Sequence, residues 1–332
     1  MSRRTFLLML FAVLAALSIV ELVIRRQRVK ETTRPLGQIA PQDSVWIAPD
    51  TSRIPVSEEG SLVRYGRMLI SNTAYYLGPR GKVAHISNGM NCQNCHLDAG
   101  TKPFGNNYGG VFSTYPKFRE RRGAVETIVQ RINDCFQRSL GGSELDSTGH
   151  EMQAILAYIK WVGYNVSRGK KPYGSGIWQP QYLDRAADSA RGEVVYANKC
   201  SKCHGPEGRG LMNPDSTTYL YPPLWGDNSY NSGAGLFRLS RFAGYVRDNM
   251  PLGASYKNRQ LSEEEAWDVA AYVNSKPRPR KTFRHDWPNI ALKPVDHPFG
   301  PYSDSFPELQ HRLGPFKPIQ LVREASLKKK SS

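Results

Sequence analysis

Asn88-Gly89-Met90-Asn91-Cys92-Gln93-Asn94-Cys95-His96 places two thiols three positions apart and an imidazole directly after the second. A haem of the c type needs that set: one thiol for each vinyl group and a neutral imidazole for the iron, all within one short segment. Cys200-Ser201-Lys202-Cys203-His204 repeats it. Competing readings gather Cys92, Cys95, Cys200 and Cys203 around one structural zinc, or make each pair a redox dithiol. Neither asks for a histidine after each pair. The expectation is therefore two covalently bound haem c groups, one held by Cys92, Cys95 and His96 and the other by Cys200, Cys203 and His204.

Around the two motifs the chain repeats itself. His96 lies 62 residues before Tyr158 and His204 lies 68 before Tyr272, with Ala157-Tyr158-Ile159 answering Ala271-Tyr272-Val273. In the first half, Leu62, Tyr65, Met68 and Leu69 have helical spacing ahead of the motif, and Met152, Ile155, Leu156 and Ile159 with Trp161 or Val162 have it at the close. In the second half a short helix is expected over Ala190 to Asn198 and a longer one from Ser262. Glu265, three residues after Ser262, makes a capping box there; Ala266, Val269, Ala270 and Val273 supply the buried face, and Pro277 ends the helix. This duplication predicts an all-α fold of two tandem class I cytochrome c-type domains, with an N-terminal membrane segment and a long irregular C-terminal extension. The expected boundaries are a signal anchor at residues 1–30, an extended arm at 31–60, a first haem domain at 61–165, a linker at 166–185, a second haem domain at 186–276 and a Pro-rich basic extension at 277–332.

The membrane segment is read from Thr5 to Ile24, an apolar stretch of 20 residues interrupted only by Ser18 and Glu21 and preceded by Arg3 and Arg4. Ala16-Leu17-Ser18 is a weak cleavage site and the apolar run continues past it, so residues 5–24 are expected to anchor the protein in the inner membrane with the remainder on the periplasmic side. Ser2-Arg3-Arg4-Thr5-Phe6-Leu7 also resembles a twin-arginine signal, which serves proteins exported already folded. Haem c is joined to unfolded chain outside the cytoplasm, which argues against that route.

At 332 residues the chain is long enough for two hydrophobic cores. Its 45 Lys and Arg against 29 Asp and Glu give a formal charge of +16, spread from Arg53 to Lys330, so the surface attracts anions. No basic stripe is interleaved with stacking aromatics, and nucleic acid is not an expected partner.

Of the five cysteines, Cys135 alone falls outside the motifs. Each haem iron has a sixth position, and in the second half Met250 occupies the loop before the closing helix, where a thioether raises the potential of an electron-transfer haem. Met212, eight residues past His204, competes for that role, and a plain core methionine is the structural alternative. Met250 lies 22 residues before Tyr272, and Cys135 lies 23 before Tyr158. The fifth thiol thus stands where the duplicate carries its methionine. A thiolate there would depress the haem potential and leave an electron-rich sulfur at the site; His150, Met152 and an inert buried thiol are the alternatives. Val125, Ile128, Val129, Ile132 and Phe136 predict an amphipathic helix ending at Gly141-Gly142, with Cys135 flanking its apolar stripe and Arg131 and Ser139 one turn to either side. Arg119, Arg121 and Arg122 precede it. Guanidinium groups near an iron-bound sulfur suit a small oxyanion, although for any one arginine a haem carboxylate or solvent is an equal partner.

From about Trp46 to Ile319 the sequence resembles the thiosulfate dehydrogenase family, the tetrathionate-forming dihaem cytochromes c. The resemblance is carried by Asn88 to His96, by Arg131-Ile132-Asn133-Asp134-Cys135-Phe136-Gln137-Arg138-Ser139, by Glu151-Met152-Gln153-Ala154 and more weakly by Pro298-Phe299-Gly300-Pro301-Tyr302. It implies that Cys135 ligates the active-site haem opposite His96, that Arg121, Arg131 and Ser139 help hold thiosulfate, and that the haem of His204 and Met250 relays electrons to an acceptor such as another cytochrome c. Some members carry a lysine just before the second methionine; here that residue is Asn249. The sulfur of Cys135 would either only tune the haem or transiently bond a substrate sulfur. A non-catalytic dihaem electron carrier and a sulfur-compound-binding cytochrome subunit are the other classes compatible with these residues.

Overall fold

Ser57 begins the first long helix because its hydroxyl accepts the Gly60 N–H and Glu58 and Glu59 place negative charge at the positive end of the helix. This helix, α1 (Glu58–Ser71), crosses α3 (His150–Val162), and between them in sequence lies α2 (Ile128–Arg138). The second half repeats the crossing with α4 (Ser189–Lys199) against α6 (Glu263–Ser275), with α5 (Leu239–Asn249) packed on α6. The computed structural model describes residues 45–214 and 218–331.

The duplication is explicit at the two crossings. A Cβ at Gly66 would fall on the backbone oxygen of Ala154 and against the Cβ of Tyr158; a Cβ at Gly192 would fall on the backbone oxygen of Asp268 and against the Cβ of Tyr272. Two glycines let the same pair of helices touch backbone to backbone, at positions the repeat makes equivalent. They also correct the expected face of α1, which buries Val63, Gly66, Leu69 and Ile70 and leaves Met68 46% exposed. The glycine contributes no apolar surface to the sequence pattern yet marks the centre of the contact. Gly66→Ala is expected to lower stability by about 1–3 kcal/mol through overpacking, read as a fall in the urea midpoint, whereas Gly235→Ala, whose Cβ would meet nothing, should cost less than that.

Each half has its own core. Leu69, Ile70, Leu77, Phe136, Met152 and Tyr158 are essentially inaccessible in the first, as are Tyr196, Trp267, Ala270 and Val273 in the second. Trp46, from the expected arm, is buried in the first core and its backbone N–H donates to Tyr173 O, so the arm is packed against the first half at this point. Residues 174–177, within the expected linker, also bond back to the first half: Phe104 and Asn106 donate N–H groups to Gly174 O and Gly176 O.

The expected architecture is corrected in three respects. The fold is mostly helical rather than all-α, because two antiparallel pairs of short strands are present, β1 (Lys117–Arg119) with β2 (Ala124–Glu126) and β3 (Leu211–Met212) with β4 (Tyr219–Tyr221). Val125, expected on the amphipathic helix, sits on β2 and is 60% exposed, since Thr127 and Gln130 close a capping box that starts α2 only at Ile128. The C-terminal extension is not irregular throughout: it carries α7 (Glu308–Leu313) and α8 (Lys317–Ser331), and Phe316 and Ile319 are buried in the second core. No helix among the described residues is long and apolar enough to cross a membrane, and the stretch at residues 5–24 lies outside them.

Candidate functional site

The first Cys-x-x-Cys-His segment is held by short-range hydrogen bonds. Cys92 N–H donates to the Thr73 hydroxyl at 2.9 Å, and Asn91 and Asn94 cap the turn that carries the cysteines. His96 donates from Nδ1 to Asn106 O at 2.6 Å and stacks on Tyr108 at 4.7 Å between ring centroids. That bond fixes the tautomer and leaves Nε2 free. Burial, helped by the charge of Arg131, pushes the imidazole down to about 4, so the ring is neutral at neutral pH. Burial likewise pushes the Cys92 thiol up to about 11 and that of Cys95 to about 12. His204 repeats the arrangement, donating from Nδ1 to Pro222 O at 2.8 Å and held neutral by burial.

A cavity of about 260 Å³ opens beside the first motif, and Cys92, His96, Tyr108, Ile132 and Cys135 line it. Cys135 reaches it from the last turns of α2, whose apolar side, including Phe136, packs into the first core. The two alternatives to Cys135 go elsewhere: Met152 is completely buried in the core and His150 stacks on Tyr65 at 5.3 Å. The Cys135 sulfur, a neutral imidazole with a free Nε2 and the Cys92 thiol share this cavity, a set of donors that fits a c-type haem, while Cys95 is not among the lining residues. In the second half Met250 packs against the same core cluster as Cys200, whereas Met212 lies on β3 and is 37% exposed. Met250 follows the end of α5, while Cys135 is inside α2, so the two equivalent positions differ locally.

The arginines divide between two cavities. Arg131 lines the one that contains Cys135, together with Lys117, Arg119, Lys171 and Arg241. Arg121 lines another, of about 920 Å³, formed with the C-terminal extension, where its guanidinium lies 6.0 Å from the Trp287 ring centroid. Burial and the neighbouring charges of Arg131 and Arg138 push Arg121 down to about 10. Arg122 pairs with Glu126 and Asp134. Ser139 caps α2 with its N–H on Cys135 O and is not among the residues lining the first cavity. Lys117, Lys171 and Arg241 carried no sequence signal, since they come from a short strand, a loop and the opposite repeat.

The two repeats meet at the first motif. Tyr245 of α5 donates its hydroxyl to Asn94 O at 2.7 Å, Asn249 donates to Phe104 O at 3.1 Å, and Cys95 packs against the second core. Residues 82–171 match the family described as SoxA/TsdA, cytochrome c domain, and residues 189–276 match cytochrome c. The chain is similar to thiosulfate dehydrogenase of Psychrobacter arcticus, 39% identical over 73% of this chain and 71% of that protein. The chain belongs to the thiosulfate dehydrogenase family. It is also similar to the enzyme of that name from Stutzerimonas stutzeri, at 34% identity over 72% of this chain and 74% of the relative. Among solved structures, thiosulfate dehydrogenase TsdBA from Marichromatium purpuratum superimposes with a TM-score of 0.66 at 33% identity, covering 72% of this chain and 50% of that one. In this thiosulfate dehydrogenase homologue the SoxA/TsdA match therefore contains the cavity helix α2, and the plain cytochrome c match contains His204 and Met250.

Proposed function

We propose that this chain is a dihaem c-type cytochrome that oxidises two thiosulfate ions to tetrathionate and passes the two electrons to an external acceptor such as another cytochrome c, on the periplasmic side of the inner membrane. Cys92 and Cys95 would attach one haem and Cys200 and Cys203 the other; His96 and Cys135 would hold the first iron, and His204 and Met250 the second. When bound, each haem takes up one electron, so two together match the two electrons released when the outer sulfurs of two thiosulfate ions join. The observation that supports this reading most is that a cysteine outside both motifs lines the cavity of His96 beside an arginine one turn away.

The residues around Cys135 have a definite task. Two thiosulfate dianions repel each other, and joining them requires fixed positive charge that needs no reorganisation as they approach. Arg131 offers a planar guanidinium able to hold an oxyanion by paired N–H bonds. Arg121, near enough to Arg131 for the two charges to repel, adds to the same field, and Ser139 offers a hydroxyl one turn beyond Cys135. Tyr245, bonded to the first motif from α5, fixes the relation between the two motifs and so the span an electron crosses.

The test is to incubate purified holoprotein with thiosulfate and ferricyanide. One tetrathionate formed for every two ferricyanide ions reduced is the expected result. Haem spectra that cycle normally with chemical reductants, without any tetrathionate, would leave a non-catalytic electron carrier as the surviving reading.

A further inference from the structure

Five cations line the cavity of His96 and Cys135, and none of the lining residues is a carboxylate. Two of the five have partners nearby: Arg119 lies 3.5 Å from Glu126, and Lys117 sits over the Tyr115 ring at 4.6 Å. Arg131 is adjacent to Cys135. Arg241 and Lys171 have no ion-pair partner among the described residues. Arg241 comes from α5 of the second repeat, and Asp296, the carboxylate whose charge acts on it, is already engaged by Arg238 at Nε and by the Ser240 N–H and hydroxyl. Burial first, then the charge of Arg238 and more weakly those of Arg131 and Arg119, pushes Arg241 down to about 10; only Asp296 opposes this. Lys171 is pushed down by burial and by Arg241 itself. Arg241 is half-buried and Lys171 reaches the same cavity from an exposed position, so two like charges share one cavity and repel unless an anion joins them.

We propose that Arg241 and Lys171 form a cationic seat for the carboxylates of the haem bound at Cys92 and Cys95, so that the second repeat supplies part of the binding site for the first repeat's haem. This rests on the haem assignment above. A haem held by Cys92, Cys95 and His96 brings two carboxylates with it, each with one negative charge, and the cavity beside these residues has surplus positive charge. Arg241 then also acts as a positioning residue that ties the electron affinity of one haem to the packing of the other domain, because α5 is the helix whose Tyr245 already bonds the first motif and whose Asn249 bonds Phe104 just beyond it.

The proposal is tested with purified holoprotein carrying Arg241→Gln, Lys171→Gln or both, by spectroelectrochemical titration of each haem and by haem content after mild acid or urea challenge. Removing a cation near a haem favours its oxidised form. The expected result is a roughly tenfold fall in the reduced-to-oxidised ratio of the first haem at fixed ambient potential, or about 59 mV for a one-electron couple. The second haem should be unmoved, and Arg241→Lys should restore most of the loss. An unchanged first-haem potential in a fully loaded variant would overturn the proposal. So would an unchanged potential with a raised KM for thiosulfate, which would assign these cations to substrate instead. Lys171→Gln keeps the test available if Arg241→Gln fails to fold. Absence of any haem at Cys92 and Cys95 in the parent protein would defeat the underlying haem reading, a different outcome from either.

Discussion

Cys135→Met leaves both haems attached and reduces tetrathionate formation by at least about a hundredfold, a loss of ~2.7 kcal/mol of transition-state stabilisation. The attachment thiols at Cys92 and Cys95 are untouched, and methionine is still a soft donor able to reach from the same turn of α2. The negative charge on sulfur is what disappears. With it goes the electron density that a thiolate gives its iron, so the haem potential rises, and any bond between Cys135 and a substrate sulfur is excluded. Haem content from the pyridine haemochrome spectrum should be unchanged while the ferricyanide-coupled rate collapses. Turnover near that of the parent protein would remove Cys135 from the reaction and leave it a spectator.

Asp286→Ala should destabilise the folded protein by about 3 kcal/mol and free the start of the C-terminal extension. Arg138, in the last turn of α2, is only 5% exposed, lies 3.6 Å over the ring of Phe283 and donates two 2.7 Å bonds to the carboxylate of Asp286. Its remaining acidic neighbour, Asp134, is at 3.6 Å. Removing Asp286 leaves a buried guanidinium largely uncompensated, which costs far more than a surface ion pair is worth. Because Arg138 and Cys135 share the same helix end, loosening one disturbs the other. Thermal unfolding and limited proteolysis around residues 280–290 provide the measurement; a melting temperature within a degree of the parent, with the extension still protected, would show that Phe283 and Asp134 suffice to hold Arg138.

The motif spacing foretold two cytochrome c domains, and counting back from Tyr158 and Tyr272 singled out Cys135 and Met250 as equivalent positions. Those inferences rest on covalent chemistry and on counting along the chain, which sequence records directly. The capping box at Ser262 and Glu265 was equally legible, because its partners are three residues apart, and the structure shows both of its bonds. The face of α1 was less legible. Gly66 lies at its centre, and a residue without a side chain leaves no trace in a hydrophobic pattern.

The arginine cluster shows the limit most clearly. Arg119, Arg121 and Arg122 are neighbours in sequence, yet they end respectively on the cavity of His96 and Cys135, beneath Trp287 and on Glu126 with Asp134. The tight β1–β2 hairpin that separates them has little sequence signature of its own. Lys171 and Arg241 meet them only because the loop after α3 and helix α5 fold over the same space. Sequence alone determined the two Cys-x-x-Cys-His motifs, the duplication and the fifth cysteine, all set by residue types and spacing along the chain. Tertiary structure alone decided which charges surround that cysteine, since the sign and strength of an electrostatic site depend on distances between residues that the chain order does not encode.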